Sequence, residues 1–242
     1  MQKPTWYTIG KGGIISDVLN LLHFPYTIWH LSYVLIGIAL SPIIYADRSL
    51  ATLFAFFLGL GIGAHALDET MGNPLETKLS RLNLYAIGLS AVSAAVAIGL
   101  YYAFTVSLLL LPFIGVEAFF ALVYNLEMFQ KKFHNTIVFA LSWGVIPFLT
   151  GYFVNSLQLG LDSLIAAASV GLLTYVQRTL SLQARSIRRS ERSNVHSLRL
   201  ESGEEVPISA DELISPAEKS LKALTLMVLL MAVALVLHRI VL

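Results

Sequence analysis

The chain has no cysteine at all, which excludes disulfide staples, iron–sulfur clusters and thiol catalysis. Charge is nearly as scarce: 13% of the 242 residues are Asp, Glu, Lys or Arg, against roughly 25% in soluble domains. That deficit points to lipid as the solvent. The net charge of +1 gives no bias toward nucleic acid. A strong cleavable signal pattern is also missing from Met1 to Phe24, whose apolar stretch is interrupted by Gly10, Lys11, Gly12, Gly13 and Asp17. The part from Ile14 to Phe24 reads instead as an amphipathic helix lying on an interface. No stretch long enough for a separate soluble domain remains, because apolar runs occupy most of the length.

Those runs predict an all-α fold, a polytopic transmembrane bundle of about seven spans at ~20 apolar residues each. The windows lie near 26–46, 50–67, 84–104, 106–125, 136–155, 157–177 and 221–241. In domain terms this is a single membrane unit over 1–242, with an interfacial segment 1–25, a six-span bundle 26–177, a loop 178–219 and a last span 220–242. Very short turns between spans three and four, and five and six, predict antiparallel hairpins. Lys3, Lys11, Lys78, Arg81, Lys131, Lys132 and the six arginines from Arg178 to Arg199 fall in alternate segments, whereas the other loops hold little beyond Arg48. The positive-inside rule then sets the N-terminus in the cytoplasm and the C-terminus outside.

Within 178–219, the basic run from Arg185 to Arg192 suits anionic lipid headgroups, although ordinary topology signalling accounts for it equally. Ser197 to Ser209 alternates around Gly203 and predicts a small hairpin. Pro216, with Ser215 before it, is expected to open the final helix.

The polar residues gather at one face. His23 and His30 begin span one, seven residues apart and so on one helical side. His65, Asp68 and Glu69 end span two, and Tyr124, Asn125, Glu127, His134 and Asn135 surround the connection between spans four and five. Ionisable groups near membrane depth are costly, about 2.5–3.5 kcal/mol each at a helix centre, so a cluster of them predicts a shared polar cavity. His65 with Asp68 at i+3 and Glu69 at i+4 offers one nitrogen and two carboxylates on one face, a half-site for a divalent metal. His30 and His134 are candidates to complete it, with His23 and Glu127 as further ones; Lys131 at i+4 gives Glu127 an ordinary ion-pair role. Glu117, deep in span four, must be protonated, paired or facing a cavity; Tyr124 at i+7 shares its side of the helix. Both are candidate catalytic groups. Gly59 and Gly63 form a small-xxx-small face for a close helix neighbour. Trp29, Tyr33 and Trp143 read as belt or cavity aromatics.

From about Leu21 to Asn155 the chain resembles the UbiA-type intramembrane prenyltransferases. The resemblance rests on Ala64-His65-Ala66-Leu67-Asp68-Glu69-Thr70-Met71-Gly72, then Asn73-Pro74-Leu75 and Leu79-Ser80, and later on Ala121-Leu122-Val123-Tyr124-Asn125 and Trp143-Gly144-Val145-Ile146-Pro147. It implies a UbiA-like arrangement of the first five or six spans, and a site where aspartates hold magnesium and a prenyl diphosphate. Here His65 and Gly72 stand at two of those aspartate positions, Asp68 remains, and Gln177-Arg178-Thr179-Leu180 replaces the second aspartate-rich motif. Exchanging carboxylate for imidazole shifts preference from magnesium toward manganese, iron or zinc. The expectation is a metal-dependent membrane enzyme acting on a lipid or isoprenoid, with His65, Asp68, Glu69, His30 and His134 on the metal and Glu117 and Tyr124 in the cavity. The alternative is a non-enzymatic membrane subunit or proton or ion transporter, including a haem-binding one.

Overall fold

A computed structural model describes residues 7–8, 13–72, 75–190 and 196–241; Lys3, Gly10, Lys11, Gly12, Asn73, Pro74 and Arg192 lie outside the described residues. The helices are α1 (Ile14–Leu21), α2 (Phe24–Leu40), α3 (Ala46–Glu69), α4 (Arg81–Thr105), α5 (Leu108–Val123), α6 (Thr136–Ser156), α7 (Leu161–Ser190) and α8 (Ala210–Val241). Strands β1 (His196–Arg199) and β2 (Glu205–Ile208) pair antiparallel between α7 and α8, with Arg199 opposite Glu205. Gly203 turns this hairpin at φ +83°, a left-handed conformation that favours glycine.

The fold is therefore all-α apart from the hairpin among the described residues. Four helices, α3, α4, α6 and α8, are long and apolar enough to cross a membrane. The pair α1 and α2, bent by 41° at its break, makes a fifth when taken as one. Each of the seven windows read from the sequence falls on one of α2 to α8. The outer surface is apolar: Phe54, Phe104, Leu172, Leu230 and Ile240 are all exposed. Most helix starts follow local chemistry. Ser80 accepts from the Asn83 amide at 3.2 Å and Asn135 from the Val138 amide at 3.0 Å, each capping a helix, while Pro25 occupies a first-turn position of α2 and Pro112 the first α-helical turn of α5, after its 3-10 start at Leu108–Leu110.

The loop 178–219 differs from expectation in being largely helical. α7 runs on to Ser190, and α8 begins at Ala210 rather than at Pro216. The reason is a capping box: Ser209 Oγ accepts from the Glu212 amide at 3.2 Å, and Glu212 Oε2 accepts from the Ser209 amide at 2.8 Å. With that start fixed, Pro216 sits inside the helix and removes one backbone bond. Ala184 of α7 packs against Ala210, Ile214 and Ala217 of α8, and Arg188 pairs with Glu218.

The central core joins α2, α6, α7 and α8 through Trp29, Tyr33, Phe148, Val170 and Val228. Trp29 and Tyr33 are wholly buried and Trp143 nearly so, so none of the three is a belt anchor. Trp29 Nε1–H donates to Tyr33 Oη, which explains how both polar tips tolerate burial. α3 meets α4 across its glycines: a Cβ on Gly63 would lie 3.2 Å from the Gly88 carbonyl, and one on Gly59 3.4 Å from Ala95. Gly63 thus allows the close approach its spacing predicts, whereas Gly59 sits at ordinary contact distance. α3 over Phe57–Ala64 and α6 over Leu141–Val145 are wound as π-helix, an irregularity frequent at functional sites.

The two ends of the bundle differ. At one, Asn155 Oδ1 accepts from the Tyr45 amide at 2.7 Å, and Arg239 donates to the carbonyls of Ser41 and Pro42 at 2.9 Å each. At the other, Asp17 accepts from the Lys78 amide at 3.0 Å, and the ends of α3, α5 and α7 meet the start of α2. The expected interfacial helix α1 lies there, with Ile15 and Val18 exposed and Leu21 buried.

Candidate functional site

The polar residues converge on a cavity of about 60 Å³ at the end carrying Lys78 and Arg185. Its wall includes His23, His30, His65, Asp68, Tyr124 and His134, so one enclosure gathers residues from the start of α2, the end of α3, the end of α5 and the connection to α6, as their positions along the helices predict. α7 adds Gln177, Arg178, Ser181 and Arg185.

Each imidazole is oriented by a backbone carbonyl. His30 Nδ1–H donates to the Trp143 carbonyl at 2.6 Å, within the π-helical part of α6, where the amide donors are displaced along the chain. His65 donates to Gly61 at 3.1 Å in the π-helical part of α3. His23 donates to Leu21, and His134 to Tyr124, both at 3.1 Å. All four rings therefore carry a proton on Nδ1, and those of His23, His30 and His65 leave Nε2 outside these bonds. The rings are also packed: His23 and His65 centroids are 4.4 Å apart, His30 lies 4.9 Å from Trp143, and His134 stacks on Tyr124 at 4.4 Å. His23 itself has φ 42°, and this left-handed residue makes the break between α1 and α2.

On the sequence Arg178 belongs to the positive-inside pattern and to the stretch that replaces the second aspartate-rich motif; in the fold it points inward and is 7% exposed. Its guanidinium lies 4.7 Å from the Phe139 ring and donates from Nη2 to His134 Nε2 at 3.4 Å. Among the described residues, three buried polar atoms on the cavity wall lack a partner: Arg178 Nε, Tyr124 Oη and Gln177 Oε1. Buried polar groups are rarely left so. A signal for the inward face existed in the sequence, since Gln177, Arg178, Ser181 and Arg185 fall on one side of a continuing helix.

Two expected ligands are spent elsewhere. His134 Nε2 accepts from Arg178, and Glu69 turns away from the cavity. The Glu69 carboxylate accepts from the amides of Leu75 at 3.1 Å and Thr77 at 3.3 Å, and from the Thr77 hydroxyl at 3.1 Å. It organises the segment after α3. Glu69→Gln replaces one accepting oxygen by a donor and should destabilise the protein by about 1–3 kcal/mol. Thermal unfolding of the purified variant measures this, and an unchanged midpoint would remove that role. Glu127 forms the expected ion pair with Lys131, at 2.8 Å.

The residues left for a metal ion are His30, His65 and Asp68, with His23 beside them. Among the described residues, no three His, Asp or Glu side chains are grouped closely enough to hold one. Of the five expected ligands, His30, His65, Asp68 and His134 stand on the cavity wall and Glu69 does not.

Glu117 does not join Tyr124. It lines a second cavity, between α3, α4, α5 and α6, and its Oε1 has no hydrogen-bond partner among the described residues. The two residues share a side of the helix, but seven residues separate them by about 10 Å along its axis. A cluster of Phe56, Leu60, Tyr124, Phe139 and Trp143 fills the space between the cavities.

Comparison of the chain with family models, with curated proteins and with solved structures gives no match.

Proposed function

We propose that this is an integral membrane protein of about seven spans, and that its polar cavity binds the phosphorylated head of a membrane lipid or isoprenoid and acts on it. The observation that carries this reading is Arg178, buried with an unpartnered Nε at the cavity wall. A buried cation requires a counter-charge. The described wall provides two guanidinium groups, Arg178 and Arg185, against the single carboxylate of Asp68, and so favours an anion. The planar fork of arginine matches phosphate oxygens, and the free Tyr124 hydroxyl adds a donor. Room for about four water-sized groups, at ~15 Å³ each, suits a phosphate and not a whole lipid, so the apolar tail would lie among the helices or in the bilayer. His30 and His65 present Nε2 lone pairs beside such a head and are the candidate proton acceptors.

The bundle's basic end is then the cytoplasmic face, as Lys78, Arg81, Lys131 and Lys132 in its loops require. The resemblance to the UbiA-type prenyltransferases supports an isoprenoid phosphate in particular. A divalent metal between His30 and His65, its remaining positions filled by phosphate oxygens or water, is the second reading. It is favoured by the Nδ1–H bonds of both imidazoles to carbonyls, which fix ligating histidines in metal sites.

Calorimetric titration of the full chain in detergent micelles tests the proposal. Farnesyl diphosphate should bind and be displaced by inorganic diphosphate. Short-chain phosphatidic acid, titrated in parallel, distinguishes a lipid from an isoprenoid source, and repeating both with a chelator separates the two readings. Failure of inorganic diphosphate to compete would overturn the assignment of the cavity.

A further inference from the structure

The second cavity, about 100 Å³, lies between α3, α4, α5 and α6. Its wall is almost wholly apolar and includes Phe56, Leu60, Val92, Val96, Phe113 and Ile114. Few polar groups reach it. The Thr150 hydroxyl donates to the Ile146 carbonyl at 2.8 Å, and the Tyr102 hydroxyl to the Asp47 carbonyl at 3.2 Å. Thr52 stands on the wall, and Glu117 remains with its buried Oε1 unpartnered. Thr52, Ala55, Gly59, Ala95 and Ala118 on the rim are only half-buried, so the cavity opens sideways on the apolar flank of the bundle. It shares no wall residue with the polar cavity.

A carboxyl group placed alone among hydrocarbon side chains is expensive, and a small apolar cavity beside it is a further cost of lost contacts. One occupant relieves both: a molecule that is hydrocarbon except for a single hydrogen-bonding group. A hydroxyl is the group that fits. It donates to a carboxylate oxygen and exchanges hydrogen bonds with a carboxylic acid, so it is satisfied in either protonation state without bringing a second charge. An ammonium would bring that charge, and a phosphate would set two anions together.

We infer that this cavity is a binding site for the head of a neutral, long-chain membrane alcohol, which enters from the bilayer between α3, α4 and α5, seats its hydroxyl and first methylenes in the cavity with the hydroxyl hydrogen-bonded to Glu117, and leaves the rest of its chain along the apolar flank. The site is independent of the phosphate reading of the polar cavity, and either can fail without the other.

The test uses the full chain in lipid nanodiscs and hexadecanol carrying a photoreactive diazirine in its chain. Labelled peptides should come from 52–60, 92–102 and 110–121. Unmodified hexadecanol should suppress the labelling, and hexadecyl methyl ether, which cannot donate, should do so about three- to tenfold less well, the worth of one hydrogen bond. Glu117→Leu should erase that difference. Ala95→Phe, which fills the cavity from α4, should abolish the labelling and leave farnesyl diphosphate binding unchanged; it serves also if the Glu117 variant does not fold. Labelling spread over the outer faces of α7 and α8, or equal competition by alcohol and ether, would overturn the site.

Discussion

Replacing Gly37 by alanine is expected to destabilise the protein by about 3 kcal/mol, far more than any other single methyl group added on this helix surface. α2 and α6 cross with Gly37 facing Gly151. A Cβ on Gly37 would collide with the Phe148 carbonyl oxygen and lie 2.9 Å from the Tyr152 amide nitrogen. One on Gly151 would collide with the Val34 carbonyl oxygen. The atoms in the way are backbone on both sides, so no side chain can rotate aside and the helices must separate. Separation would loosen Trp29, Tyr33 and Phe148, which fill the adjoining core. Two effects oppose each other here. Alanine is the better helix former by about 0.8–1 kcal/mol, and the collision outweighs that gain. Gly59 provides the control, because its Cβ would rest at 3.4 Å from Ala95, an ordinary contact. Gly59→Ala should therefore be neutral or slightly stabilising. Unfolding both variants in micelles with increasing denaturing detergent reads the contrast. Equal stability of Gly37→Ala and the parent would show that α2 and α6 do not meet backbone to backbone.

Much of this architecture is legible in the sequence, because the signals are local or periodic. Apolar windows place α2 to α8, Ser80 and Asn135 mark two helix starts, and Gly203 marks the hairpin turn. The convergence of His23, His30, His65, Tyr124 and His134 also follows from topology alone, since antiparallel helices bring alternate ends together. What escaped depends on side-chain direction and on competition between neighbouring signals. Pro216 resembles a helix start until the stronger Ser209–Glu212 box is weighed against it. Glu69 carries the same residue type as a metal ligand, and only the path of the chain through Leu75 and Thr77 reveals it as a brace. Glu117 and Tyr124 share a helix side, but rise along the axis puts them in different compartments.

Arg178 escaped for a similar reason: an arginine at the end of a span looks the same to the positive-inside rule whether it meets headgroups or folds inward. Its replacement is the second large effect expected. Arg178→Gln should weaken farnesyl diphosphate binding by about 30-fold or more, the ~2 kcal/mol or greater loss that follows when one partner of a buried charge pair is removed. Lysine at this position keeps the charge but loses the planar fork, so Arg178→Lys should fall between. Arg185 is only half-buried at the cavity rim, where water weakens the same Coulomb attraction, and Arg185→Gln should cost no more than about fivefold. Stability without ligand separates binding from a structural role. The Arg178 side chain touches Phe139 and His134 but leaves Nε unpartnered, so replacing it removes a buried charge along with two weak contacts. The unliganded variant should stay within about 1 kcal/mol of the parent, because an incompletely compensated buried charge contributes little to stability. Affinity lost with stability kept is the signature of a residue held in place for an anion. The opposite pair of results, a markedly destabilised protein that still binds diphosphate, would make Arg178 a structural element and leave the cavity without its principal donor.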